Sequence, residues 1–187
     1  QTGLSVSGAG DIDKDGADDI LVGAPYTTNA GYNGQATGAT YLIYGASTAN
    51  DVYLATIPDD GSEVGFIIYG AVSDAQAGYA LSSGDFNSDG YSDILIGSPG
   101  AIVSGQTVGT VDVIYGHSAD ELFPAVDLLE ALNSVYPGYQ MFCGDGSASL
   151  NARCGQLLSG GGDVNGDGTA DILVGAPYYG SVGAAYL

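Results

Sequence analysis

A pattern of aspartate and glycine that occurs three times in the 187-residue chain constrains its fold more than any other feature. Each copy reads Asp-x-Asp/Asn-x-Asp-Gly-x-x-Asp and leads directly into a short apolar run that ends in Gly-Ala/Ser-Pro. The copies occupy residues 11–25, 85–99 and 163–177. A second motif, which ends in Ile-Tyr-Gly, follows at residues 38–45 and 109–116, and a shortened version follows at 183–187. Such repetition indicates a fold built from copies of one supersecondary unit.

Each repeat unit predicts four short β-strands separated by turns. The apolar run after the aspartates is continuous, as in a strand that is covered on both faces. Residues 124–132 are the one stretch with a helical pattern, and they predict one or two helical turns, whereas the corresponding stretch at 51–54 does not. Residues 66–70 predict the outer strand of the second unit. The sequence therefore predicts one all-β segment over residues 1–187, with repeat units at approximately 1–61, 62–136 and 137–187.

The aspartate pattern suits a calcium ion, which takes six to eight oxygen ligands at about 2.3–2.6 Å. Side-chain oxygens at positions 1, 3, 5 and 9 converge if the loop curls around the ion, glycine at position 6 permits the sharp turn, and the carbonyl of position 7 points inward. We therefore expect three Ca²⁺ sites. The predicted ligands are Asp11, Asp13, Asp15, Asp19 and the Ala17 carbonyl in the first loop; Asp85, Asn87, Asp89, Asp93 and the Tyr91 carbonyl in the second; and Asp163, Asn165, Asp167, Asp171 and the Thr169 carbonyl in the third.

Other interpretations of these loops fit the sequence less well. An EF-hand begins in the same way but needs a glutamate at position 12 and a helix on each side. Position 12 is Val22, Ile96 or Val174, each inside a predicted strand. Magnesium prefers bound waters and strict octahedral geometry. Aspartate and glycine also form turns that hold no ion, but three copies in register, each with an aspartate at position 9, favour calcium.

The charge balance excludes two classes of partner. The chain has 22 acidic residues against two basic ones, Lys14 and Arg153, for a net charge of -20. Such a surface repels phosphate backbones and anionic lipids. No apolar run approaches the roughly 20 residues that a membrane-spanning helix needs. We therefore expect neither a nucleic-acid partner nor direct insertion into a membrane.

The two cysteines, Cys143 and Cys154, are too few for a zinc site. They predict a local disulfide, and the alternative is a pair of reduced, buried thiols. The acidic, glycine-rich composition favours an oxidising compartment, where disulfides persist. We therefore expect an extracellular or cell-surface location.

The combination of strand, aspartate loop, Gly-Ala-Pro turn and Ile-Tyr-Gly strand resembles the FG-GAP repeat of integrin α-subunit β-propellers. The Gly-Ala-Pro element is present at residues 23–25 and 175–177 and reads Gly-Ser-Pro at 97–99. The phenylalanine of the Phe-Gly element is replaced by Thr2, Ala77 and Cys154. The resemblance covers essentially the whole chain. It implies radial blades of four antiparallel strands, calcium loops that join the first and second strands of a blade, structural calcium, and ligands bound elsewhere.

The predicted fold is thus about three FG-GAP-type blades of a larger or assembled β-propeller. Propellers use about four to eight blades, so we expect further blades of the same chain, or other copies, to complete the ring. No catalytic constellation is present, and we expect no enzyme activity. The predicted function is an extracellular, calcium-stabilised module for adhesion or for binding a protein or glycan ligand. The alternatives are a building block of a surface layer or fibre, and the non-catalytic propeller of a larger secreted hydrolase or lyase.

Overall fold

Antiparallel β-sheets are the main regular structure of the described residues, and they confirm the predicted all-β class. The structure, a computed structural model, describes residues 1–29, 34–45, 52–57, 64–118, 126–128, 138–143 and 151–187. A short 3₁₀ helix lies at Leu54–Thr56, where the sequence predicted no helix.

The first sheet contains four antiparallel strands in the order β1-β2-β5-β6, with a fifth short strand, β12, added in parallel beside β6. The strands are β1 (Ser5–Gly10), β2 (Asp19–Ala24), β5 (Ala39–Ile43), β6 (Gly65–Tyr69) and β12 (Val126–Asp127). A short ribbon of β3 (Thr28–Asn29) and β4 (Gln35–Ala36) lies in the connection between β2 and β5.

The second sheet repeats the first in the order β7-β8-β11-β13, and the third contains β14, β15 and β16. The strands of the second sheet are β7 (Ala80–Gly84), β8 (Asp93–Ser98), β11 (Thr110–Ile114) and β13 (Gly138–Met141), with a ribbon of β9 (Ile102–Val103) and β10 (Gln106–Thr107). Those of the third are β14 (Leu157–Gly162), β15 (Asp171–Ala176) and β16 (Ala184–Tyr186). The sheets are therefore equivalent blades.

The outer strands belong to different blades than the sequence predicted. Strand β6 pairs with β5 from Ala39↔Tyr69 to Ile43↔Gly65, so it completes the first blade, not the second unit. Strand β13 completes the second blade in the same way, by pairing with β11. Strand β6 directly follows β5 in the chain, the usual arrangement for neighbouring strands, whereas β12, which pairs with β6, lies between β11 and β13. The unit boundaries near residues 61 and 136 separate these strands from the sheets that they complete.

The helical turns predicted for residues 124–132 fall largely outside the described residues. Of the three described residues in this stretch, Val126–Asp127 form β12 and pair with Ile68 and Tyr69, and Leu128 has α-helical geometry. Residues 126 and 127 therefore extend the first sheet instead of beginning the predicted helix, whereas the helical geometry of Leu128 agrees with the prediction. The edge of β6 provides backbone hydrogen-bonding groups for Val126 and Asp127, which favours an extended conformation of these two residues.

Two hydrophobic cores hold the blades together, one on each side of the second sheet. Between the first and second blades, Leu21, Leu42 and Phe66 pack with Ile94 and Ile96. The core between the second and third blades includes Leu95, Val111, Val113, Val174 and Ala176. The first strands of all three blades are neighbours, because β1 and β14 both pack against β7. This radial stacking is the arrangement of a propeller.

The glycines of the repeat motif set the distance between blades. A Cβ atom at Gly97 would overlap the carbonyl oxygen of Gly155 on the next blade, and one at Gly23 would overlap that of Gly78. Gly78 and Gly155 adopt φ values of +82° and +77°, which side-chain-bearing residues rarely take. The close approach of the two backbones thus requires glycine on both sides, at the first position of Gly-Ala/Ser-Pro in one blade and at the glycine of the Phe-Gly element in the next.

Substituting Gly97→Ala is expected to lower the free energy of unfolding by about 2–3 kcal/mol, because the backbones of two blades must move apart. Chemical denaturation in calcium buffer measures the change. The matched control is Gly8→Ala in β1, since Gly8 has open space around its Cα and no unusual φ. Equal effects of the two substitutions would contradict the role of the close approach.

A disulfide joins Cys143 and Cys154, as predicted, with a Cα–Cα distance of 5.5 Å. Both residues are buried in the core between the second and third blades. Closing a loop of this length is worth about 3 kcal/mol in the chain-entropy account.

Within the described ranges, no helix has the length and hydrophobicity needed to cross a membrane.

Candidate metal centres

The three aspartate loops join the first strand of each blade to the second, as the resemblance implied. The loops run from β1 to β2, from β7 to β8 and from β14 to β15. Their backbones follow the same path, because position 4 has a positive φ in each loop (Lys14, Ser88 and Gly166), as does the glycine at position 6. The repeated sequence therefore folds into a repeated loop.

In the second loop, the side chains at positions 1, 3 and 5 curl the chain by accepting backbone N–H groups. Asp85 accepts hydrogen bonds from the amides of Asp89 (3.2 Å) and Gly90 (2.9 Å). Asn87 Oδ1 accepts from the Asp89 amide at 3.0 Å, and Asp89 Oδ1 accepts from the Tyr91 amide at 2.8 Å. The third loop repeats all four bonds, and the first loop repeats all but the one from the position-5 amide to the position-1 side chain. The side-chain oxygens are thereby held on the inside of the turn.

The first loop brings three carboxylates together. One carboxylate oxygen from each of Asp11, Asp13 and Asp15 lies within 4.8 Å of the other two. Burial and then the charges of Asp15 and Asp11 raise the pKa of Asp13, although backbone hydrogen bonds partly offset them. Asp11 Oδ1 is buried and accepts no hydrogen bond. A buried, unpartnered carboxylate oxygen in a cluster of carboxylates fits a hard cation such as Ca²⁺.

The aspartate at position 9 ties its loop to a distant strand end. Asp93 Oδ2 accepts the Phe86 amide at 2.7 Å, and its Oδ1 accepts the Gly116 amide at 2.9 Å. Asp19 accepts the amides of Ile12 and Gly45, each at 2.8 Å. The third loop retains the first of these bonds, from the Val164 amide to Asp171 at 2.7 Å.

Burial raises the pKa of Asp19 and Asp93 to about 6, although the hydrogen bonds from their two backbone amides oppose the shift. Asp19 is not in the group of three carboxylates, yet it lies close enough for the charges of Asp13 and Asp11 to raise its pKa. A bound cation would favour the charged form of all four carboxylates. The role of position 9 as a ligand remains a prediction.

The third loop is more exposed than the first two. Asp163 accepts the amides of Gly166, Asp167 and Gly168, and these hydrogen bonds lower its pKa. Asn165 Nδ2 lies 3.3 Å from Asp171 Oδ1. The loop has the same donor set as the second. The carbonyl ligands at Ala17, Tyr91 and Thr169 remain predictions in all three loops.

Neighbouring loops also contact each other, which the sequence did not predict. The Ser92 amide donates to the Asp11 carbonyl, and the Ala170 amide donates to the Asp85 carbonyl, each at 3.3 Å. The Lys14 ammonium lies 3.5 Å from the centroid of the Tyr91 ring, a cation–π contact. The loops therefore form a continuous band along the three blades. The sole lysine, at position 4 of the first loop, was the sequence feature that could have indicated the Lys14–Tyr91 contact. The repeated Tyr-Gly after the third strand could have indicated the amides of Gly45 and Gly116, which donate to the position-9 aspartates.

The donor set is almost entirely oxygen, with carboxylates at positions 1, 5 and 9 and a carboxylate or amide at position 3. Such a set suits calcium, whereas transition metals favour imidazole or thiolate ligands. The fold and the loops thus define a β-propeller segment with candidate calcium loops.

The sequence profile of the FG-GAP repeat family matches residues 2–43, 77–114 and 155–187. The chain belongs to the FG-GAP repeat family. Each match begins just before the first strand of a blade and, in the first two blades, ends at the third strand.

Curated proteins with similar sequence include phospholipases D and integrin alpha subunits. The phosphatidylinositol-glycan-specific phospholipase D of Rattus norvegicus is 31% identical over 176 residues, which cover 92% of this chain and 18% of that protein. Human integrin alpha-E is 31% identical over 173 residues, with coverages of 88% and 12%. The integrin alpha pat-2 of Caenorhabditis elegans is 31% identical over 177 residues, with coverages of 89% and 12%. The chain spans less than a fifth of the length of these relatives.

Proposed function

We propose that the chain is an extracellular β-propeller module whose three loops bind structural Ca²⁺ and whose surface binds a ligand in adhesion. The observation that carries the calcium part is the first loop, where three carboxylates converge and the buried Asp11 Oδ1 has no hydrogen-bond donor. Three hydrogen bonds that recur in all three loops support three equivalent sites. The extracellular location is supported by the disulfide and by the relatives, which include integrin alpha subunits.

In this proposal the residues at positions 1, 3 and 5 hold the ion on the inside of the turn. The ion supplies positive charge that offsets the repulsion among the carboxylates. The aspartate at position 9 then links the metal loop to the third strand of the blade through the Gly45 or Gly116 amide. Calcium would therefore stabilise the blades rather than take part in a reaction.

The outward faces of the two end blades are apolar, which supports the proposal that a partner covers them. Val6 and Ile20 on the first blade are 69% and 50% exposed, and Leu157 and Leu173 on the third are 67% and 45% exposed. Soluble monomers rarely expose contiguous apolar patches of large area. Further blades of the same polypeptide, or other copies of the chain, have the complementary chemistry.

A second candidate function is the non-catalytic propeller of a larger secreted hydrolase. The similarity to phosphatidylinositol-glycan-specific phospholipase D favours it, because this chain matches less than a fifth of that protein. In this case the module would position or stabilise a catalytic domain elsewhere in the polypeptide.

Biolayer interferometry of the immobilised chain against extracellular-matrix glycoproteins and purified glycans tests the adhesion function. We expect saturable binding to at least one of them in 2 mM calcium and loss of that binding in EDTA. A chain that is stabilised by calcium but binds none of them would contradict adhesion and leave the hydrolase-associated role. Absence of stabilisation by calcium would contradict the metal sites themselves.

A further inference from the structure

The second blade carries four polar residues at positions that are apolar in the first blade. The strand registers define the equivalence, because Ser98↔Thr110 and Asp112↔Gln140 correspond to Ala24↔Ala39 and Tyr41↔Ile67. The third blade keeps the apolar set at the three positions that it contains, which are Ala176, Ala184 and Tyr186. The departure is therefore confined to one blade.

The tyrosine at this position fills space in the other two blades. Tyr41 packs in a cluster with Leu54 and Ile57, and Tyr186 packs in the core between the second and third blades. Asp112 is much shorter, and a cavity of about 300 Å³ lies beside it. Its apolar walls include Ala71, Ala75, Ile102 and Leu128, and its polar walls include the four residues that distinguish the second blade.

Asp112 places a carboxylate in this cavity without a matching charge. Its side chain is 1% exposed, Oδ1 accepts from Gln140 Nε2 at 2.6 Å, and Oδ2 has a long contact of 3.5 Å with Thr110 Oγ1. Ser98 is 2% exposed, and its buried hydroxyl has no hydrogen-bond partner. The lining residues include no basic side chain. A buried carboxylate is costly unless it is paired.

The two basic residues of the chain are engaged elsewhere. Lys14 lies over the Tyr91 ring at the second metal loop, and the guanidinium carbon of Arg153 lies 5.4 Å from the centroid of the Tyr178 ring. Within the described residues, no other side chain carries a positive charge that could pair with Asp112. Because Lys14 and Arg153 are the only Lys or Arg residues in the sequence, a countercharge for Asp112 would be supplied by a bound group.

We propose that the cavity binds an ammonium or guanidinium group carried on a short carbon chain. The cation pairs with the Asp112 carboxylate and donates hydrogen bonds to the Ser98 and Thr110 hydroxyls, while its carbon chain packs against the apolar walls. The group belongs either to a free amine or to a lysine or arginine side chain of a partner. A calcium ion is a poor fit, since it needs six to eight oxygens and Gln140 presents its NH₂ group to Asp112.

The protonation state of Asp112 adds a pH dependence. Burial raises its pKa to about 6, although the hydrogen bonds from the Gln140 and Thr110 side chains partly offset the shift. Among the described residues that line the cavity, Asp112 alone is ionisable. The carboxylate is therefore charged at pH 7.5 and mostly protonated at pH 5, so cation binding weakens as the pH falls through about 6.

Isothermal titration calorimetry in constant 5 mM calcium tests the proposal with three probes. These are n-butylammonium, the capped lysine N-acetyl-lysine methylamide, and n-pentanol as a neutral control of similar length. We expect saturable 1:1 binding of n-butylammonium at pH 7.5, roughly tenfold weaker binding at pH 5, and none for n-pentanol. Comparable binding of the capped lysine assigns the site to a partner side chain, and its failure to bind assigns the site to free amines.

Three variants complete the test, each verified as folded by its melting transition. Asp112→Asn is expected to lower the affinity for n-butylammonium at least tenfold, and Asp112→Tyr, which restores the repeat residue and fills the cavity, should abolish binding. Asp18→Asn removes an exposed charge and is the matched control, with affinity retained within twofold. The proposal is overturned if neither cation binds the wild-type chain, or if Asp112→Asn and Asp112→Tyr bind n-butylammonium as tightly as wild type.

Discussion

Chelation of calcium with EDTA is expected to lower the melting temperature of the chain by on the order of 20 °C relative to 10 mM calcium. An ion that binds the native state alone at 100 times its Kd adds about 2.7 kcal/mol, and extracellular calcium sites have Kd values of about 10⁻⁴–10⁻³ M. Three such sites add up to about 8 kcal/mol. A domain of this size shifts by roughly 2–4 °C per kcal/mol.

Differential scanning calorimetry in calcium, in EDTA and after calcium is restored measures this effect. Magnesium at the same concentration is the control, and we expect it to restore little of the lost stability because it keeps its waters. Superimposable melting curves in calcium and EDTA would show that the loops are turns that hold no ion.

The second large effect separates two kinds of aspartate in the loops. Asp93→Ala should destabilise the chain in both calcium and EDTA, whereas Asp13→Ala should destabilise it in calcium alone. Asp93 is buried and accepts the Phe86 and Gly116 amides, so its loss leaves two backbone N–H groups without their acceptor. Each such group costs about 1–3 kcal/mol when buried. Asp13 instead accepts one amide, that of Asp15, and its side chain is half-buried.

Urea denaturation of both variants in the two buffers provides the comparison. In EDTA we expect Asp93→Ala to lose roughly 3–5 kcal/mol and Asp13→Ala to unfold close to wild type. If both variants matched wild type in EDTA, the position-9 aspartate would have no structural role apart from the metal.

Much of this fold follows from short-range patterns in the sequence. The apolar run after each aspartate loop predicted strands β2, β8 and β15, because continuous apolar residues need cover on both faces. The blade that receives each outer strand did not follow from the sequence, because β6 has the same pattern whichever edge it joins. Hydrogen bonding to β5 decides its place.

The loops were predictable as oxygen-rich turns, but two features of the site were not. The second partners of Asp19 and Asp93 are the amides of Gly45 and Gly116, which lie 26 and 23 residues away in the chain. Asp112 resembles an ordinary solvent-facing position in an alternating strand until the register places it opposite Gln140 and between two blades. Both features depend on contacts that a linear pattern does not specify.

Calcium uptake by the chelated chain tests the three-site account most directly. Equilibrium dialysis with metal analysis is expected to give three calcium ions per chain, and two for a chain that carries Asp11→Ala, Asp13→Ala and Asp15→Ala together. Saturation at three ions for wild type and two for this variant is expected if each loop binds one ion. Uptake of no calcium, or uptake that the triple substitution leaves unchanged, would contradict it.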